Sequence, residues 1–149
     1  MRAKYVHTNL IADDWRRLAR FYEEVFGCEP LLPERDYSGA NLEAAVGIAG
    51  ASLRGMHLRL PGYGDDGPTI EIFQYGANID REQPAINRPG FAHIAFSVDD
   101  VAAARDEVLA AGGMPFGELT EFETSDGRRV TMIYLADPEG NIIELQSWE

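Results

Sequence analysis

Between Lys4 and Ile11 apolar and polar residues alternate, so Tyr5, His7 and Asn9 share one face of a strand and Val6, Thr8 and Leu10 the other. Asp13 or Asp14 then offers an N-cap. Trp15, Leu18, Phe21, Tyr22 and Val25 follow at helical spacing until Gly27 closes the run. The plan returns later. An alternating strand from Phe91 to Val98 leads to Asp99-Asp100, which cap a helix carrying Val101, Ala104, Val108 and Ala111, ended by Gly112-Gly113. Short strands are predicted around 28–32 and 114–119, and longer ones about 53–60, 68–75, 128–135 and 141–147. Gly64-Asp65-Asp66-Gly67, Ser125-Asp126-Gly127 and Asp137-Pro138-Glu139-Gly140 supply the turns between them.

The recurrence extends to individual residues. Tyr5-Val6-His7-Thr8-Asn9-Leu10-Ile11-Ala12-Asp13-Asp14 and Phe91-Ala92-His93-Ile94-Ala95-Phe96-Ser97-Val98-Asp99-Asp100 each carry a His in third place and end on Asp-Asp. Gly67-Pro68-Thr69-Ile70-Glu71 and Gly140-Asn141-Ile142-Ile143-Glu144 each place a Glu four residues after a Gly. Such self-similarity predicts an α+β fold of two tandem βαβββ modules, whose curved mixed sheets form a cup. Residues 1–76 make module one, 77–89 a polar, proline-bearing linker and 90–149 module two, all within one domain. The first half is longer, and its surplus falls between Pro33 and Gly50. There Asn41 to Gly47 reads as a short capped helix in a segment that is either a lid or a plain surface insertion.

Strand parity decides which side chains can meet. With Val6/Leu10, Ile70/Ile72, Ile94/Phe96 and Ile143/Leu145 packed against the helices, the opposite face collects His7, Glu71, His93 and Glu144. Two imidazoles and two carboxylates suit one divalent ion such as Ni, Co, Mn, Fe or Zn, with two octahedral positions left open. The absence of thiolates speaks against a structural zinc knot. By the same register His57 and Arg59 point into the cup, the first able to move protons and the second to grip a substrate carboxylate. Asn9 and Tyr134 are further substrate-facing candidates.

Charge narrows the partners. Thirteen basic against 25 acidic residues leave a net charge of -12, which disfavours nucleic acid and anionic membrane surfaces. No stretch approaches the roughly 20 apolar residues of a membrane span, and no signal peptide is evident. The lone Cys28, read as a small buried hydrophobe, suits a cytoplasmic protein. Gly62 to Gly67 imitates a dinucleotide-binding glycine pattern, but Pro68 and a strand follow it where a helix would be needed.

On the metal set His7/Glu71/His93/Glu144, the paired modules and Asp137-Pro138-Glu139-Gly140-Asn141, the chain resembles the vicinal oxygen chelate superfamily. That superfamily includes glyoxalase I, methylmalonyl-CoA epimerase, extradiol dioxygenases and bleomycin-type resistance proteins. The His, Glu, His, Glu order is similar to the glyoxalase and epimerase pattern. The resemblance therefore implies a metal-dependent lyase or isomerase acting on a small carbonyl or carboxylate compound through a metal-bound enolate. Glu144 would be the base, with Glu71 as its partner and His57 assisting. Glutathione-dependent members typically carry Arg and Asn where this chain has Ile11 and Tyr75, which argues against glutathione as substrate. An extradiol-type dioxygenase using His7, His93 and Glu144 and a metal-free resistance or binding protein are the alternatives. Long strand edges, together with the resemblance, imply a homodimer.

Overall fold

The structure, a computed structural model, describes residues 1–149. The chain forms two compact units, Met1–Arg81 and Glu82–Glu149. In the first, β1 (His7–Ile11), β2 (Glu29–Ser38), β3 (Ser52–Arg59) and β4 (Thr69–Tyr75) form one sheet in the order β1-β4-β3-β2. β1 runs parallel to β4, and the other neighbours are antiparallel. α1 (Trp15–Phe26) covers one face, and a short α2 (Ala40–Val46) follows β2.

α1 forms where the apolar stripe predicts it. Asp14 caps it by accepting from the Arg17 N–H at 3.1 Å, and Gly27 ends it at φ 66°, a left-handed geometry that glycine adopts without strain. Trp15, Leu18, Phe21 and Tyr22 are buried from α1, as are Met56, Leu58, Ile70 and Ile72 from β3 and β4. Each fully buried large side chain contributes about 1.5–3 kcal/mol relative to exposure.

The second unit repeats this plan. β5 (His93–Ser97) lies parallel to β9 (Ile142–Trp148), which pairs antiparallel with β8 (Arg129–Ala136). α3 (Val101–Ala110) is capped by Asp100, which accepts from the Ala103 N–H at 3.0 Å. Val101 and Val108 are buried on α3, and Ile133, Leu135, Ile143 and Leu145 on the sheet.

Several details differ from the sequence reading. β1 begins at His7, and Val6 is exposed, so it does not join the helix-facing core. β2 does not stop near residue 32. It runs through Pro33 to Ser38 with a register shift between Leu31 and Arg35, so the first third of the 33–50 segment becomes strand. The proline is tolerated because β2 is an outer strand, where one side needs no N–H donor. The stretch 114–119 divides into β6 (Met114–Pro115), while a separate β7 (Thr120–Glu123) also pairs with β8. No helix is long and apolar enough to cross a membrane.

Candidate functional site

Each unit presents a Glu on the sheet face away from its helix. In the first, Ile70 and Ile72 of β4 are buried and Glu71 between them turns the other way. Its cross-strand neighbours are Asn9 of β1 and His57 of β3. His7, two residues before Asn9, places Nε2 3.1 Å from Glu71 Oε2. His57 places Nε2 2.8 Å from Oε1 of the same carboxylate. Asn9 Nδ2 donates weakly to Glu71 Oε2 at 3.4 Å. The Glu71 side chain is only 14% exposed, so these imidazoles take the place of solvent around it.

His57 is held at both ring nitrogens, since Nδ1 lies 3.3 Å from the Thr69 hydroxyl. A neutral ring with Nε2–H donating to Glu71 and Nδ1 accepting from Thr69 satisfies both contacts. Burial pushes its pKa below the ordinary imidazole value. Glu71 counters that shift, while the positive charge of Arg35 and the nearby His7 add to it. The Phe73 ring stands edge-on to His57, with centroids 6.0 Å apart.

The second unit repeats the pair with one exchange. Glu144 sits between the buried Ile143 and Leu145, and His93 Nε2 lies 3.0 Å from Glu144 Oε2. The residue directly across from Glu144 on β8 is Tyr134, where the first unit has His57. Its ring meets His93 at 5.2 Å between centroids. Burial raises the Tyr134 pKa, and the charge of Glu144 and a hydrogen bond to it add to the rise.

The sequence candidates thus resolve into two groups, His7/Asn9/His57/Glu71 and His93/Tyr134/Glu144, each within its own unit. Arg59 shares the His57 face but turns away. Its Nη1 lies 2.9 Å from Glu29 Oε2 and 3.2 Å from Asp65 Oδ1, so its charge is neutralised at the β3–β4 turn. Thr69, Phe73 and Arg35 were missed. Parity alone would have found the first two, whereas the irregular register of β2 hid the third.

The donor chemistry fits a divalent cation. Two ligands about 2.1 Å from a metal and at right angles to each other lie about 3 Å apart. The imidazole–carboxylate separations of 3.1 and 3.0 Å match that spacing. No group of three or more His, Cys, Asp and Glu side chains is gathered to hold a cation alone. In the first unit His7 and His57 approach different oxygens of Glu71.

Comparison with known proteins gives the chain its family and fold. The chain is 28% identical to a probable lactoylglutathione lyase of Vibrio parahaemolyticus over 144 residues, 95% of this chain and 88% of that protein. It is 29% identical to a probable lactoylglutathione lyase of Vibrio cholerae with the same coverage. Its fold matches a glyoxalase family protein from Bacillus cereus with TM-score 0.76 at 19% identity, over 99% of this chain and 94% of that one. It also matches a fosfomycin resistance protein from Listeria monocytogenes, determined with Mn(II) and sulfate, with TM-score 0.56 at 17% identity, over 99% and 93% of the two chains. The model of one family spans residues 4–145, almost the whole length, and on that match the chain belongs to the Glyoxalase/Bleomycin resistance protein/Dioxygenase superfamily.

Proposed function

We propose that the protein is a divalent-metal-dependent lyase or isomerase that moves a proton at a carbon next to a carbonyl or carboxylate. The observation that carries this reading is the repetition of one motif: an imidazole Nε2 about 3 Å from a largely buried carboxylate, on the open face of both sheets. His7, Glu71, His93 and Glu144 are the metal ligands, drawn as two pairs from one chain or from two. A bound divalent ion of the Ni, Co, Mn, Fe or Zn group supplies Lewis-acid stabilisation of negative charge on substrate oxygens.

The chain's own groups move the proton. Glu144 acts as the base, held by His93 at Oε2 and by the Tyr134 hydroxyl. Glu71 is its counterpart, and neutral His57, with one nitrogen on Glu71 and the other on Thr69, is placed to relay a proton to it. Asn9 and Tyr134 offer polar contacts to substrate. The Vibrio relatives named as probable lyases support the reaction class, while Ile11 and Tyr75 point to a substrate other than a glutathione adduct.

Elemental analysis of protein purified without chelators tests the reading. One divalent ion per pair of His–Glu sets is expected, and His7→Ala and His93→Ala should each strip most of it. Metal content that ignores both substitutions would sink the assignment. For the base, Glu144→Gln should keep at least part of the metal while losing solvent exchange of substrate α-protons, followed by proton NMR in D2O.

A further inference from the structure

The first unit holds a cation that the proposed chemistry leaves unused. Three arginines are half-buried: Arg35, Arg59 and Arg105. Arg59 is matched by Glu29 and Asp65, and Arg105 by Asp106 at 2.8 Å. Arg35 has no carboxylate partner, and its guanidinium reaches only the Pro33 carbonyl. In a protein with almost twice as many acidic as basic residues, an unmatched and partly desolvated guanidinium is a departure that asks for a ligand.

The backbone aims it. Neighbouring residues of a strand point to opposite faces. Glu34 is pinned toward α1 by a two-pronged pair with Arg16, both contacts at 2.7 Å. Arg35 is thereby turned to the other face. Its cross-strand partner is Gly55, two residues from His57 on the same side of β3. Its charge is felt at the His57 ring. Gly55 puts no side chain in the way, and the Phe73 ring, directly across from Gly55 on β4, supplies an apolar floor beside it. In the order β2-β3-β4 the arginine is two strands from Glu71, about 10 Å at the backbone.

We propose that Arg35 is the substrate-anchoring residue of the first unit, gripping an oxyanion (carboxylate or phosphonate) on a small molecule whose apolar part rests on Phe73 and whose reacting end faces His57 and Glu71. This rests on the reading of the His–Glu face as the reacting site. It assigns to Arg35 the grip that sequence parity had given to Arg59. It also makes the substrate an anionic small molecule, short enough to bridge two strand spacings.

Protein-observed NMR at fixed pH tests it, with propionate and methylphosphonate as probes and chelator-treated and metal-loaded samples run in parallel. Saturable shifts of the His57 ring signals are expected with at least one probe, and the better probe tells carboxylate from phosphonate. Arg35→Gln should weaken that affinity about tenfold or more. Arg35→Lys should retain part of it, and Arg54→Gln, an equal charge loss on the opposite face, should leave it unchanged. Thermal melts establish that each variant folds, and Arg35→Lys carries the test if Arg35→Gln does not. No saturable shift in either wild-type sample, or undiminished binding in a folded Arg35 variant, would overturn the inference. Because anion binding is read without metal, it fails or stands separately from the metal count on His7→Ala and His93→Ala.

Discussion

Single residues decide how the open face of the first sheet can be used. Gly55 is required there by space: a Cβ would collide with the Ile72 carbonyl oxygen and with Cδ1 of Phe73. Gly55→Ala should therefore cost about 1–3 kcal/mol through forced repacking, visible as a lower melting temperature with weaker shifts at His57. An unchanged melt would show that both the Ile72 carbonyl and the Phe73 ring give way freely. Cys28, 3% exposed, makes a separate prediction. Burial and the charge of Glu23 push its thiol pKa up to about 12. The neutral thiol is thus favoured in the folded state. Its contribution to stability is full below the unfolded value of about 8.5 and is lost as pH rises from there toward 12. Native protein should resist a thiol reagent at pH 8 and react on unfolding, and Cys28→Ala should flatten the alkaline fall of the melting temperature. Rapid labelling of native protein would contradict this. Parity in the sequence was enough to put His57 on the same face as Glu71; their direct pairing came from the register of β3 and β4. It could not tell that Arg59, on the same face, would be drawn off by Glu29 and Asp65, because those partners meet it only through pairing and a turn.

At the scale of elements, the turn between β8 and β9 fixes how Glu144 is delivered. Asp137 is fully buried, and its Oδ1 accepts from the Glu139 and Asn141 backbone N–H groups, both at 2.9 Å. Oδ2 accepts from Asn141 Nδ2 at 2.6 Å. This network gives the Asp-Pro-Glu-Gly-Asn run its physical meaning: one carboxylate gathers the donors of the turn and sets the start of β9. Asp137→Ala leaves buried donors unpaired and should cost roughly 3 kcal/mol, or about 6–12 °C in melting temperature. Asp137→Asn, which keeps one acceptor, should recover part of the loss. A melt within 1–2 °C of wild type would mean that the turn finds other acceptors. The turn was legible in sequence because Pro and Gly announce it. The extension of β2 was not. Pro33 reads as a strand breaker, and only the pairing of Ser38 with Ser52 shows that an outer strand carries it.

Over the whole chain, duplication was the most legible feature, since a His, an Asp pair and a Glu recur in both halves and the structure returns the same βα start and parallel β1–β4 and β5–β9 pairings. What duplication hides is divergence, such as His57 standing where the second unit has Tyr134. It also leaves each sheet with outer strands whose backbone donors and acceptors lack neighbours within that sheet. β7 is exposed at every residue, and Leu32, Phe91 and Phe122 are exposed large apolar side chains. Unprotected outer strands and apolar surface favour association, and a second copy of the chain is the partner expected for them. The expected assembly is a homodimer, so sedimentation equilibrium should return twice the 16.5 kDa chain mass across the micromolar range. A monomer at every concentration would remove the dimer. The same sample ties assembly to the proposed metal set, under which one ion per chain would use both of its His–Glu pairs. Release of the ion on dilution to monomer would tie metal binding to assembly, and retention would separate the two.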